Sequence, residues 1–210
     1  MKQFEILVPP GWVMFDLRDE IKPQVAAFVR QRVSRHSRAD SVRPLLTEAL
    51  TKTATELADG GAVAMTVAIE PPDGLSGSPI SIFMPLAVPE DKEPLDLLLA
   101  VASSDPSAQA IDVGDLVAIR LSATSDATAA VGDAVAEAAT LMADDGVNLG
   151  AGFTAQRLTV RYLMGDPGDR ERWADVSFSV TGTSRSGSAE IAAALVELFD
   201  ATIQTFRWLP

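Results

Sequence analysis

The stretch that decides the fold is RLTVRYLM at residues 157–164, followed by ADVSFSV at residues 174–180. Over most of both runs apolar and polar residues alternate, and a period of two places the apolar side chains on one face of a β-strand. Two neighbouring strands that each keep a polar face predict an antiparallel hairpin, because such sheets can expose one face to water. Their connection, residues 165–172, is charged and contains Gly and Pro, so we expect an exposed, mobile loop.

Downstream of this hairpin lies the clearest helical pattern of the chain. The spacing predicts a helix of roughly 20 residues that packs across the sheet, with Ser186 or Ser188 as its N-terminal cap. Its apolar face is formed by Ile191, Leu195, Leu198, Phe199, Thr202, Ile203 and Phe206.

Upstream, several shorter runs have strand character. Gly114-Asp115 separates apolar runs at residues 108–113 and 116–123, which is a signal for a two-residue hairpin. Residues 62–70 have the composition of a strand buried on both faces. Residues 80–88 alternate but contain Pro85, which predicts an edge strand or a strand end. Two short extended segments, 4–8 and 12–17, precede them.

Helical spacing recurs in the first half of the chain. Residues 21–33 form one amphipathic pattern, and a second begins at residue 40 or 41 and stops at Gly60-Gly61, so an αα-hairpin is predicted. Residues 93–103 resemble a short helix. The alanine-rich residues 125–152 are consistent with either a helix or a mobile insertion. The element order predicts a single α+β domain over residues 1–210, with a mainly antiparallel sheet packed by helices.

Bulk composition limits the compartment and the chemistry. The 210 residues are 47% hydrophobic, enough for one core without disulfides or metals. The chain has no cysteine, which excludes thiolate chemistry and Cys-ligated metals and suits a reducing compartment. The early Pro9-Pro10 leaves no apolar region for a signal peptide, and no apolar run is long enough for a membrane span. A cytoplasmic protein without membrane insertion is therefore expected.

Negative charge is concentrated in one part of the chain. Residues 1–60 hold 9 Lys and Arg against 8 Asp and Glu, whereas residues 61–210 hold 8 against 21, which together give the net charge of −12. Such acidity repels phosphate backbones and anionic lipids, and this argues against nucleic acid and membrane partners. A protein partner or a homo-oligomer is the expectation that remains.

A cluster of arginines stands out against this acidic background. Five of them fall within 14 residues, at the predicted end of the first helix and in the linker that follows. They either complement the helix dipole and the protein's own carboxylates, or bind a partner's carboxylate or phosphate groups. The candidate partner-binding residues are Arg30, Arg32, Arg35, Arg38 and Arg43.

Motifs for catalysis, metal binding and cofactor binding are lacking in the sequence. His36 is the only histidine, and it lies in the predicted linker between two helices. The GxGxxA match at residues 150–155 leads into a strand rather than a helix, which excludes a dinucleotide fingerprint. Asp166, Asp169 and Glu171 do not match a calcium loop. We therefore assign no catalytic residue, metal ligand or cofactor, although a hydrolase whose carboxylates meet only in the fold stays open.

Two tryptophans provide the remaining candidate site. Trp12 and Trp208 lie at the ends of predicted elements, where an indole either packs against the core or lines a ligand pocket. A ligand pocket lined by Trp12 and Trp208 is therefore an alternative to simple core packing.

Several features together resemble a family of uncharacterised actinobacterial proteins. They are Val8-Pro9-Pro10-Gly11-Trp12, the helix pair ending in Gly60-Gly61, the late hairpin, and the terminal segments at residues 198–201 and 206–208. The element order is also similar to the PsbP-like α/β/α sandwich, whose LpqN-type relatives include lipoproteins. That resemblance implies a non-enzymatic accessory protein that binds a partner, which could be a component of an actinobacterial secretion system. It also allows an alternative function, a small-molecule or lipid-binding domain with a pocket between sheet and helices.

Overall fold

The structure is a computed structural model that describes residues 3–33, 39–141 and 152–209. Within these ranges the helices are α1 (Ile21–Val33), α2 (Ala39–Asp59), α3 (Pro94–Ser104), α4 (Thr128–Leu141) and α5 (Ser188–Ile203). The strands are β1 (Phe4–Glu5), β2 (Trp12–Asp16), β3 (Ala64–Ala68), β4 (Ile80–Pro85), β5 (Gln109–Val113), β6 (Leu116–Asp126), β7 (Ala155–Gly165), β8 (Trp173–Thr183) and β9 (Arg207–Trp208). The predicted α+β class is confirmed.

A seven-stranded antiparallel sheet forms the centre of the molecule, with the strand order β2-β3-β4-β8-β7-β6-β5. The predicted hairpin is present as β7 and β8, which pair over their full length from Ala155↔Thr183 to Gly165↔Trp173. The Gly114-Asp115 hairpin is also confirmed, since Val113 pairs with Leu116 and Gly114 has a positive φ of 59°.

One face of the sheet carries the larger core. Helix α5 packs across β8 and β7, and Phe199 stacks on Phe178 with 4.7 Å between ring centroids. The apolar alternation of the two strands explains this packing, because Val160, Tyr162, Val176 and Phe178 all point to the same side and are buried. Helix α5 therefore packs across the sheet, as its apolar face predicted.

The opposite face is covered in two places. The α1–α2 hairpin packs on β2, β3 and β4 through a cluster that includes Phe15, Phe28 and Met65. Helix α3 packs on Ile119 and Leu163 further along the sheet. Between the α1–α2 hairpin and α3, the polar residues of β7 and β8 form the surface of the sheet. The polar face predicted for these two strands therefore lies on the side of the sheet opposite α5.

A two-stranded ribbon joins the two ends of the described chain. β1 pairs with β9 in the register Phe4↔Trp208 and Glu5↔Arg207, and the Leu209 N–H donates to the Gln3 carbonyl at 2.8 Å. The ribbon packs its aromatic rings on the α5 core, where Phe4 stacks on Phe206 at 5.2 Å. It therefore closes one end of that core.

Some predicted details are wrong, for identifiable reasons. The first strand ends at Glu5, because its partner β9 has only two residues. β4 is a central strand rather than an edge strand, whereas the predicted strand end is confirmed, because Pro85 is the last residue of β4. Neither Ser186 nor Ser188 caps α5, because Gly187 is the N-cap residue and no side chain caps the helix. The Ser188 hydroxyl instead accepts from the Thr183 N–H and donates to the Gly74 carbonyl.

The stretch that the sequence left open contains both a strand end and a helix. Residues 125 and 126 finish β6, and residues 128–141 form α4. The rest of the predicted insertion, up to residue 151, lies outside the described ranges. Among the helices described, none has both the length and the apolarity required to cross a membrane.

Candidate functional site

The described arginines of the sequence cluster lie at one end of the α1–α2 hairpin. Arg30 and Arg32 are in the last turn of α1, and Arg43 is near the beginning of α2. All three are exposed. We call Arg30, Arg32 and Arg43 the arginine surface. Arg35, Arg38 and His36 fall between the two helices, outside the described residues.

The arginine surface differs from most other arginines in the protein. Within the described ranges Arg30 and Arg32 have no carboxylate within ion-pairing distance. The arginines that do pair with the protein's own carboxylates are Arg18, Arg120, Arg161, Arg170, Arg172 and Arg207. The charges of Arg30 and Arg32 are therefore accessible to another molecule.

Trp12 and Trp208 line different cavities. Trp12 borders a small apolar cavity beneath α5, together with Leu195 and Phe199, and its volume is about 10 Å³. Trp208 borders a second one of about 10 Å³, next to Phe4 and Phe206. Each holds roughly one water molecule, so neither accommodates a lipid chain in this conformation.

A larger cleft lies where the hairpin turns meet the C-terminal segment. Its volume is about 560 Å³. It is lined by Glu5, Leu7, Val113, Gly114, Asp115, Leu116, Asp166, Arg172, Gln204, Thr205, Phe206, Arg207 and Trp208. We call it the end cleft. It brings together four segments that are distant in sequence, and among them Trp208 is the one residue that the sequence had singled out as a pocket residue.

The loop between β7 and β8 forms one wall of the end cleft and is held by several contacts. Arg172 lies 3.7 Å from Asp166 Oδ2 and 3.4 Å from Asp169 Oδ2. Arg170 donates to the carbonyls of Pro89 and Lys92 at 2.9 and 2.8 Å. The loop is exposed, as predicted, but these bonds tie its charged residues to one another and to the segment that precedes α3.

A buried polar network connects α5 to the sheet. The Tyr162 hydroxyl donates to the Asp200 carboxylate, which also accepts from Arg120 Nε at 2.8 Å and from a second Arg120 nitrogen at 3.1 Å. Tyr162 is fully buried, whereas the Arg120 and Asp200 side chains are 16% and 35% exposed. No motif in the sequence indicates this network. The available signal was a tyrosine in an apolar strand pattern, whose hydroxyl requires a partner.

We expect this network to raise the pH at which the Tyr162 hydroxyl ionises. Burial raises the pKa of Tyr162 above its ordinary value of about 10, and the hydrogen bond and charge of Asp200 raise it further. The stability that Tyr162 contributes is therefore complete below about pH 10 and is lost as the pH rises through the higher pKa of the folded state. Because Tyr162 is the only tyrosine, tyrosinate absorbance reports it alone.

The expected titration has its midpoint above that of a free tyrosine and coincides with alkaline unfolding. Asp200→Asn should move the midpoint back toward the ordinary value, since it removes the charge. Tyr162→Phe should remove the absorbance change and flatten the loss of unfolding free energy above pH 10. An ordinary midpoint in the folded protein would contradict the prediction.

Hydrogen bonds lower the pKa of three carboxyl groups among the described residues. The carboxyls whose pKa is shifted are all lowered: that of Asp16 by a hydrogen bond from Arg18, that of Asp105 by Ser107 and that of Asp126 by Thr128. A general acid needs a raised pKa instead. Groups of three or more His, Asp or Glu side chains with the geometry to hold a metal ion are not found in the part of the chain described.

No protein-family model matches this chain, and no curated protein matches it either. The resemblance to an actinobacterial, PsbP-like family stays a prediction.

Proposed function

We propose that this is a non-enzymatic accessory protein that binds an acidic segment of a protein partner through the arginine surface. The observation that carries the proposal is the unpaired, exposed state of Arg30 and Arg32 in a chain of net charge −12. Six of the eleven described arginines pair with the protein's own carboxylates, so the two unpaired guanidinium groups on one helix end favour an external carboxylate.

The physical case rests on complementary charge. Guanidinium groups bind carboxylates through paired hydrogen bonds, and exposed charges also accelerate encounter with a partner of opposite sign. The acidic remainder of the protein repels the same partner elsewhere, which restricts docking to the helix end. The resemblance stated above makes a component of a secretion system the first partner to test.

Charge reversal tests the proposal directly. Arg30→Glu with Arg32→Glu should weaken binding of a crosslinked or co-purified partner by at least about tenfold, because attraction becomes repulsion. Lys22→Glu is the matched control, since it reverses an exposed charge at the other end of the same helix. The affinity of the wild-type protein should also fall as salt concentration rises.

Two outcomes would overturn the proposal. One is equal binding by the Arg30/Arg32 variant and the Lys22 variant. The other is a protein that remains monomeric and recovers no partner from an extract of its own organism. A homo-oligomer that dissociates on charge reversal would instead identify a second copy of the chain as the partner.

The alternative functions have unequal support. A small-molecule binding domain is favoured by the end cleft, whose volume of about 560 Å³ is in the range of ligand pockets. The two apolar cavities of about 10 Å³ do not support a lipid-binding domain, because each is too small for a lipid chain. The lowered pKa values of Asp16, Asp105 and Asp126 do not support a hydrolase, because a general acid needs a raised pKa.

A further inference from the structure

We propose that the open edge of β6 binds an extended segment of a partner protein, which adds a strand to the central sheet and presents a lysine or arginine to Glu197. The site shares no residue with the arginine surface, and its ligand has the opposite charge, so its test is independent of the proposed function. The support comes from unpaired backbone groups on β6, from a groove between β6 and α5, and from the charge of that groove.

The second half of β6 has a free edge. β5 covers only residues 116–120 of β6, because its register runs from Gln109↔Arg120 to Val113↔Leu116. Within the described residues no strand pairs with residues 122–126 on that side, and all of them are exposed. This part of the sheet therefore ends in a strand that can accept a further neighbour.

The hydrogen bonds of β6 show which of its backbone groups face outward. Alternate residues of a strand direct their N–H and C=O groups to opposite sides. The Ala127 N–H donates to the Ala155 carbonyl on the β7 side at 2.9 Å, whereas the Ser122 N–H donates to the Ser107 hydroxyl on the other side at 3.1 Å. Thr124 therefore directs its N–H and C=O outward, and neither has a partner among the described residues. An extended peptide satisfies both.

The opposite edge of the sheet, formed by β2, is closed by comparison. The Gln24 side chain accepts from the Asp16 N–H at 2.9 Å and donates to the Asp16 carbonyl at 2.8 Å. The Trp12 N–H donates to the Pro9 carbonyl at 3.1 Å. These contacts occupy outward backbone groups of β2 and block the addition of a strand there.

A groove lies beside the free edge of β6, and we call it the edge groove. Its volume is about 380 Å³. Thr124 of β6 and Leu158 of β7 line it from the sheet, and Val196 and Glu197 line it from α5. Every second side chain of an added strand lies on this side of the sheet. Those side chains therefore have both an apolar surface and a carboxylate within their reach.

The charge of the edge groove selects a basic side chain. The charged residues in its lining are Arg120, Glu197 and Asp200. Arg120 and Asp200 already bind each other at 2.8 Å. Glu197 is exposed, and within the described ranges it has no cation within ion-pairing distance. Its carboxylate therefore attracts a lysine or arginine of the bound segment and repels an acidic one.

Backbone NMR with the peptide acetyl-Thr-Val-Lys-Val-Thr-amide tests the proposal. In the extended state its lysine and both threonines share one face. The Thr124 amide resonance should shift and its hydrogen exchange should slow, whereas the Ala110 amide, which faces outward from β5, should not change. The analogue that is N-methylated at lysine should bind about tenfold more weakly, because it lacks the N–H that pairs with β6.

The charge contact has its own variant. Glu197→Gln should weaken binding of the lysine peptide by about two- to fivefold, the size of an exposed ion pair. It should not affect the analogue that has leucine in place of lysine. Glu190→Gln is the matched control, since Glu190 is exposed in the first turn of the same helix and does not line the edge groove.

Proline at the outward positions distinguishes the edges of β6 and β5. Thr124→Pro removes the outward N–H but no bond to β7, and it should weaken binding about tenfold, whereas Ala110→Pro should bind as the wild type does. Should Thr124→Pro fail to fold, the comparison of Glu197→Gln with Glu190→Gln still decides. A Thr124 amide that does not respond to the peptide, or equal binding by the two glutamine variants, would overturn the proposal. Slow exchange at Thr124 in a homodimer without peptide would also overturn it, by identifying a second copy as the occupant.

Discussion

Gly165→Ala is expected to destabilise the protein by about 3 kcal/mol, at the upper end of what overpacking a core usually costs. A Cβ at this position would lie 2.2 Å from Trp173 Cδ2 and 2.6 Å from Cγ and Cε2. Trp173 is the cross-strand partner of Gly165, is only 1% exposed, and is anchored by its bond to the Asp166 carbonyl. Neither the ring nor the strand can yield at low cost.

Chemical denaturation measures this effect as a lower midpoint with an unchanged m value. Gly132→Ala is the control, because Gly132 lies inside α4 and an added Cβ there meets nothing within 4 Å. It should stabilise the protein by up to about 1 kcal/mol, the ordinary gain from replacing a helical glycine. A stable Gly165→Ala protein would mean that the Trp173 ring has room to move.

Phe199→Ala is expected to cost about 3–5 kcal/mol, because it leaves a cavity at the contact between α5 and the sheet. The ring is 4% exposed, stacks on Phe178 at 4.7 Å, and lies 5.9 Å from the Tyr162 ring. Its loss removes the central contact that holds α5 to β7 and β8. For a chain of this size the melting temperature should fall by roughly 6–20 °C.

The neighbouring Leu198→Ala provides the comparison, since Leu198 is 41% exposed and its removal should cost less than about 1 kcal/mol. Hydrogen exchange locates the effect: faster exchange in α5 for Phe199→Ala, with α1 and α2 unchanged, is expected because those helices pack on the opposite face. Equal costs for the two variants would contradict the assignment of Phe199 to the core.

Parts of the fold that depend on adjacent residues could be predicted from the sequence. The β7–β8 hairpin follows from alternation, and the β5–β6 hairpin from Gly114-Asp115. The central position of β4 could not be predicted in this way. Pro85 favours an edge when read locally, but β4 pairs with β8, which is about 100 residues away in sequence, and only that long-range pairing places the strand in the middle.

The same distinction applies to the candidate sites. The arginines were visible because they are close in sequence. The end cleft was not, because its walls come from four segments that are distant in sequence. Trp12 and Trp208 were grouped because both end an element, which carries no information about the cavity each one lines. The Arg120, Tyr162 and Asp200 network was likewise hidden by distance.

The ribbon formed by β1 and β9 has a consequence for synthesis on the ribosome. Phe4 is made about 200 residues before its partners Phe206 and Trp208, so the ribbon cannot form until those partners have also left the ribosome. The sheet face that α5 covers stays uncovered for the same period. We therefore expect nascent chains to expose this apolar face until α5 has left the ribosome, and to depend on chaperone protection more than a protein whose contacts are local.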